Sequence, residues 1–494
     1  MPARGAESEV MPVRSVLGDH APDAVTSHYD ELFQPGGNPR DHYATLVATL
    51  SGIARDEVLA RVQSINTMLL QRGVTFTVYA EAAGTERVFP FDIIPRILTK
   101  SEWDRIERGI AQRVRALNAF IHDVYHEERI LHERRIPREL VYSSRSFCRE
   151  MIGVDVPAGV YVHVSGIDLI RDTHGQFLVL EDNCRTPSGI SYVLENRTVL
   201  KFGFPDLFRG HGIHPVDDYP RRLLRVLRHC APQAGERPNV VVLTPGIHNS
   251  AYFEHTLLAR RMGVELVEGC DLIVVDDVVY VKTTSGLERV DVIYRRIDDD
   301  YLDPLYFRPE STLGVTGLMN AYRAGNVTLA NAIGSGVADD KALYRHVPEM
   351  IRFYLGEEPL LENVPTYDCT DETERRHVIA NLDKLVVKNT NASGGFGMLM
   401  GPFASHDERA AFAALIEASP RDFIAQPTIE LSSAPTLIDG QLTSRRVDLR
   451  PFALLGAEVD VPHAALTRVA LRDGSLVVNS SQGGGSKDTW ILQN

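Results

Sequence analysis

An α/β protein with α+β lobes and a helical N-terminal segment is the fold class this sequence predicts, and three observations carry it. Asn239–Thr244 is an apolar strand, Pro245–Ser250 a loop and Tyr252–Gly263 a helix, with further strands at Glu265–Leu266, Leu272–Val274 and Val292–Tyr294. Strand–helix–strand order of this kind implies a parallel sheet. Tyr161–Arg171 and Gln176–Asn183 read as two strands around Asp172-Thr173-His174-Gly175, which makes a hairpin. A third apolar strand, Lys384–Val387, ends on Lys388, and five residues later comes a Ser-Gly-Gly-x-Gly loop, Ser393–Gly397.

The remaining elements follow in order. Residues 1–27 are polar and predict a mobile tail. Asp41–Arg72 carries Leu46, Leu50, Ile53, Val58, Val62, Ile65, Leu69 and Leu70 at helical spacing, so one or two helices are expected. Val74–Ala80 is a short strand. Thr99 and Ser101 are candidate caps for a helix over Trp103–Tyr125, and Ser143–Met151 is expected to be another. Arg221–His229 is amphipathic and Gly235–Pro238 has linker character. Asp439-Gly440 is a hairpin turn, and Arg446, Asp448 and Arg450 on the strand after it share one face. The expected regions are 1–27, a helical 28–135, a lobe over 136–234, a Rossmann-like unit over 235–335 and a second lobe over 336–494.

Composition bounds the partners. A chain of 494 residues holds several cores, and a net charge of −14 argues against nucleic acid, which wants a basic face. Cys148, Cys184, Cys230, Cys270 and Cys369 are scattered without a C-x-x-C pair, so neither a zinc site nor a disulfide framework is expected and a reducing cytoplasm fits. The N-terminus has no apolar signal-peptide core, and no apolar run reaches membrane-spanning length. His163, His174 and His255 read as neutral core histidines.

The chemistry concentrates at two places. Lys388 at a strand end is a point charge suited to a phosphate. Gly394, Gly395 and Gly397 with Ser393 let backbone N–H groups approach phosphate oxygens. No Lys-Ser/Thr follows the glycines and no G-x-G-x-x-G opens a helix, so neither the P-loop nor the dinucleotide fingerprint applies. Glu181 and Asn183, two apart on a strand, face one way and offer the hard oxygens that Mg²⁺ requires. A two-residue turn at Thr173-His174 sets Asp168 opposite Val179 and on that face; a three-residue loop ending on Gly175 gives the position to Asp182 instead. Asp168, Glu181 and Asn183 are the preferred set.

An aspartate followed by Glu-x-Asn, here Asp168 and Glu181-Asp182-Asn183, resembles the metal site of glutathionylspermidine synthase-like ATP-grasp enzymes. Glu181 precedes Lys388 by roughly two hundred residues, the reverse of the common order. With Tyr29–Phe33, Glu181–Gly189, Leu243–Gly246, Asn389–Gly397 and Asn479–Trp490, the chain resembles the circularly permuted ATP-grasp family, type 2. That resemblance implies an ATP- and Mg²⁺-dependent carboxylate–amine ligase working through an acyl phosphate. It implies Lys341 as a second phosphate lysine, Gln426 and Thr428 flanking the adenine hinge, and Arg450 and Arg185 as catalytic arginines beside Lys388. Arg446, Asp448 and Arg450 equally read as a cross-strand ion network. Gly483–Gly485 beside Lys487 invite a second phosphate loop or a segment packed back on the site. The implied substrates are a small-molecule or peptide carboxylate and an amine; a protein partner or homo-oligomer stays open. An ATP-dependent phosphotransferase and a non-catalytic nucleotide-binding module remain as alternatives.

Overall fold

The acidic hairpin, Val164–Arg171 with Phe177–Asn183, lies inside a mixed eight-stranded sheet that strands from distant parts of the chain complete. This is a computed structural model, which describes residues 28–78, 85–232, 237–390, 397–472, 478 and 484–494. The sheet runs Glu362–Asn363, Phe177–Asn183, Val164–Arg171, Arg450–Leu455, Ala465–Val469, Gly485–Ile491, Phe91–Leu98, with Val459–Asp460 paired beside Arg450–Leu455. Strands far apart in the chain pair directly: Phe452 pairs with Gly166 and Leu454 with Val164 across nearly three hundred residues of chain.

Two smaller sheets flank it. Leu385–Asn389 and Phe423–Pro427 are antiparallel neighbours in a four-stranded sheet closed by Tyr367–Asp368 and Leu399–Met400. The parallel sheet expected from the strand–helix–strand pattern is present, in the order Thr328–Ala330, Val292–Arg295, Val240–Leu243, Glu265–Val267. Leu272–Val275 does not join it. That strand starts a separate antiparallel meander with Val278–Thr283 and Gly286–Arg289, because two-residue connections can only turn the chain straight back.

The longest helix, Lys100–Tyr125, begins at a capping box in which Thr99, not Ser101, accepts from the Glu102 amide. It buries Trp103, Ile106, Ile110, Val114, Leu117 and Ile121 along one stripe. Ala44–Ser51 and Arg55–Gln71 are the two N-terminal helices. Ser143–Met151 is not a helix: only Arg149–Met151 makes a 3₁₀ turn. Tertiary contacts override its weak periodicity, since the Cys148 amide donates to the Tyr125 hydroxyl at 3.0 Å and Phe147 stacks on that ring at 5.1 Å. Asp439-Gly440 forms the turn between Ser433–Ile438 and Gln441–Arg446, both residues at positive φ. Among the described residues no helix is long and apolar enough to cross a membrane. All five cysteines are free thiols.

His163 and His255 are buried, and burial followed by Arg295 and Arg296 respectively pushes them down to about 3 and about 2. His174 is exposed in the hairpin loop, not in a core as the sequence suggested, because the loop projects beyond the sheet. The N-terminal tail 1–27 lies outside the described residues.

Candidate active site

The register of the acidic hairpin answers the question left open by the sequence. Asp172 donates to the Gln176 carbonyl at 2.9 Å, and Gly175 donates to Asp172 at 3.1 Å with φ +80°, so the loop is Thr173–Gly175, the longer alternative. A side chain at Gly175 would also strike the Tyr29 ring, its Cβ 2.8 Å from the ring edge. Yet Asp182 does not take the site face. Leu169 pairs with Val179 while Asp168 pairs with Glu181, so Leu180 is an extra, bulged residue that moves the register by one. Asp168, Glu181 and Asn183 therefore share a face after all, with Asn183 Nδ2 at 3.4 Å from Asp168 Oδ1.

Asp182 points the other way and is bonded twice by the Arg113 guanidinium, at 2.6 Å each, both side chains fully buried. Arg113 also donates to Asn363 Oδ1 at 2.7 Å. This pair fixes the back of the strand that presents Glu181.

The front face opens into a cavity of about 970 Å³. Asp168, Glu181, Asn183, Arg185, Lys341, Lys388, Gln426, Thr428 and Arg450 all line it. Lys341 opens the short helix Lys341–Tyr344, which the Asp340 carboxylate caps at 2.9 Å, and its Nζ lies 3.2 Å from Glu181 Oε1. Lys388 stands fourth in the strand Leu385–Asn389, and its Nζ donates to Gln426 Oε1 at 2.7 Å. Gln426 in turn donates to Thr366 Oγ1 at 3.0 Å, so its side chain orients the lysine. Thr428 lines the cavity, but its amide and its hydroxyl both donate to the Lys384 carbonyl, at 3.1 and 3.0 Å. Gly397, the last residue of the loop, adopts φ +66°; Ser393, Gly394 and Gly395 lie outside the described residues.

Arg450 bonds Asp168 at 2.7 Å and Asp448 at 3.0 Å. Arg446 does not join them. It ends a different strand and pairs with Glu430 at 2.6 Å, so the expected three-residue face is broken between two sheets. Arg468, on the strand beside Arg450, also lines the cavity, and its amide donates to Asp448 Oδ1 at 3.2 Å. The strand pairing that brings it there is long-range, so local sequence offered only the alternation of Thr467-Arg468-Val469. Lys487 is elsewhere: buried in the strand Gly485–Ile491, next to the sheet edge, it pairs with Asp92 and donates to the Pro435 carbonyl at 2.8 Å. It is a structural lysine, and the residues 479–483 before it lie outside the described residues.

Charges in the cavity shift one another. Burial, with Glu181 and Asp448 adding to it and Arg450 opposing, pushes the Asp168 carboxyl up to about 7. Burial acts to raise Glu181 too, but Lys341, Lys388 and Arg450 outweigh it and hold that carboxyl below its ordinary range. Burial pushes Lys388 down to about 8 against the pull of Glu181.

The loop after the strand Phe177–Asn183 is held from the parallel-sheet unit. Asn331 donates to the Cys184 carbonyl at 2.8 Å, and the Asp339 carboxylate accepts from the Cys184 amide. Glu254 Oε2, from the helix Tyr252–Met262, accepts from the Gly189 and Ser191 amides at 2.7 and 3.0 Å and from the Ser191 hydroxyl at 2.9 Å. A buried carboxylate thus caps the helix Ile190–Gly203. Of Thr244-Pro245-Gly246 and Asn249-Ser250, only Ser250 reaches the cavity; Thr244 bonds His255 Nδ1 at 2.9 Å.

Residues 95–470 match the circularly permuted ATP-grasp type 2 family. The chain belongs to that family. An uncharacterised protein of a Synechocystis strain is 55% identical to this ATP-grasp chain over 94% of it and 97% of the relative. A putative glutamate–cysteine ligase of Frankia alni is 43% identical over 99% of the chain, which spans 57% of that longer protein. One solved structure, a glutathione synthetase-like effector from Globodera pallida, matches 89% of the chain with TM-score 0.58 at 10% identity, a likeness of fold alone.

Proposed function

We propose that the chain is an ATP- and Mg²⁺-dependent carboxylate–amine ligase that forms an amide through an acyl phosphate and releases ADP and phosphate. One observation carries this reading: a single cavity gathers Lys388 and Lys341, the Asp168–Glu181–Asn183 face, and Arg450. The family supports the class, and two relatives, from Frankia alni and Frankia casuarinae, bear the name of a reaction of this class, putative glutamate–cysteine ligase; the chain spans 57% and 53% of them.

The donor set fits magnesium. Among the described residues no group of three or more His, Cys, Asp or Glu side chains gathers as a metal site, and Asp168 and Glu181 are paired with Arg450 and Lys341, so a bound cation would share these carboxylates with them. Two carboxylates and an amide oxygen are what Mg²⁺ uses when substrate phosphates and water complete its shell. Asp168, Glu181 and Asn183 would hold it, and it would supply neutralisation of phosphate charge. Lys388, oriented by Gln426, and Lys341 bind phosphate oxygens. Val386, Met398, Met400 and Ile429 give the same end of the cavity an apolar slot for the base, with the Gln426–Thr428 backbone at its edge. A substrate carboxylate oxygen attacks the γ-phosphorus, ADP leaves, and an amine then displaces phosphate from the acyl carbon. Arg450 faces the transferred group, and Arg185 holds a substrate carboxylate other than the one that reacts. The free thiols agree with a cytoplasmic enzyme.

The test is ADP, AMP and phosphate release from Mg-ATP with pooled carboxylates and amines. ADP that needs the pool and disappears in Glu181→Ala supports the ligase; AMP overturns the acyl-phosphate route.

A further inference from the structure

The cavity has a second end that the nucleotide chemistry leaves unexplained. Its wall is made by the non-helical segment around Arg145 and by the loop Asp298–Tyr301 that follows the parallel strand Val292–Arg295. Charges of both signs stand there, but most are engaged. Asp299 pairs with Arg295 at 2.6 Å and Asp300 with Arg308 at 3.2 Å. Among the described residues the one ion pair of Asp298 and Arg185 is with each other, Oδ1 to Nη1 at 3.5 Å, with side chains 50% and 35% exposed, and Asp339, Asp299 and Asp300 act on Arg185 from farther off. The Arg185 Nε is buried without a hydrogen-bond partner. Arg145, on the cavity rim, has no ion-pair partner among the described residues. Arg185 and the Arg145 segment meet at Gly336, where a Cβ would stand 3.1 Å from Ser146 Cβ and 3.2 Å from Arg185 Cδ.

We propose that this wall is a zwitterion subsite that takes a free α-amino acid as the amine substrate, its α-carboxylate on Arg185 and Arg145 and its ammonium on Asp298. The proposal rests on the ligase reading and gives the acceptor its class. The charges of an α-amino acid sit on adjacent bonds, roughly 3 Å apart, close to the spacing of the Arg185–Asp298 pair. Insertion exchanges one weak, exposed ion pair for two charge-assisted contacts. A polyamine would meet two arginines and a phosphate would meet Asp298, so neither suits the wall. In the transfer step the bound ammonium gives one proton to Asp298, the nitrogen lone pair forms the C–N bond, the acyl C–O bond breaks with its electrons going to phosphate, and a second proton leaves to water.

The experiment uses the whole chain with Mg-ATP, a carboxylate pool and three acceptor mixtures: the common amino acids, their decarboxylated amines and their N-acetyl forms. Only the first should drive ADP release. For the best single amino acid, Asp298→Asn and Arg185→Met should each raise its KM at least tenfold with KM for ATP within twofold, and Asp298→Glu should restore part of it. Equal stimulation by the decarboxylated amines, or an unchanged amino-acid KM in Asp298→Asn, would overturn the proposal. If no mixture yields ADP, thermal unfolding separates the two ideas. An amino-acid-induced rise in Tm for wild type that Arg185→Met abolishes sustains the subsite and sinks the ligase; no rise sinks both.

Discussion

Replacing Arg113 by Met should be the most damaging single change behind the site. Asp182 is wholly buried, and both of its oxygens are held by Arg113 at 2.6 Å. The variant leaves that carboxylate charged, desolvated and alone, and removes the bond to Asn363 at 2.7 Å. Breaking one side of a buried ion pair costs about 3–5 kcal/mol, whereas replacing both partners by apolar groups is often neutral. Arg113→Met should therefore lower the free energy of the first unfolding transition in urea by that amount, and Arg113→Met/Asp182→Leu should recover most of it. Circular dichroism on the wild type, both single variants and the double variant closes the cycle. A cost under about 1 kcal/mol for the single variant, or a double variant no better than the single, would refute the reasoning that this pair anchors the Glu181 strand.

Nucleotide affinity should fall as pH rises through about 8, because Lys388 is charged below that value and loses its proton above it; calorimetry of Mg-ATP binding checks this, and Lys388→Arg should flatten the profile. Lys388→Met at pH 7 should weaken binding about 10–100-fold, the worth of a charge-assisted contact of ~1.5–3 kcal/mol. Lys487→Met should destabilise the fold by about 3 kcal/mol or more, since it strands buried Asp92, while nucleotide affinity in the folded fraction stays within twofold; a large affinity loss would restore Lys487 to the site. Glu254→Gln removes the negative charge facing two amides and Arg296; substrate KM should rise about three- to tenfold through the loss of ~1 kcal/mol of positioning, with ATP affinity unchanged by equilibrium titration.

What the sequence made legible was local. The hairpin, the Asp439-Gly440 turn, the Thr99 cap and the parallel strands are each written in a few adjacent residues, and alternation on a strand put Glu181 and Asn183 together. The bulge at Leu180 was not legible, because nothing in Phe-Leu-Val-Leu-Glu-Asp-Asn distinguishes one leucine as the extra residue. Asp168 kept its face only because a longer loop and a bulge shift the register in succession. Arg468, Asp339 and the Arg145 segment reach the cavity through contacts between distant elements, and the glycines before Lys487 suggest a phosphate loop because nothing local reveals its pairing with Phe91–Leu98 and Ala465–Val469. Ser143–Met151 shows the same limit: its conformation is set by Tyr125.

Hydroxylamine trapping tests the central claim most directly, since it needs no knowledge of the natural amine. The chain is incubated with Mg-ATP, hydroxylamine and a pool of amino-acid and peptide carboxylates, and hydroxamate, ADP and AMP are measured together. The account predicts hydroxamate and ADP in equal amounts, both lost in Glu181→Ala. Hydroxamate with AMP, or ADP without hydroxamate, would contradict it.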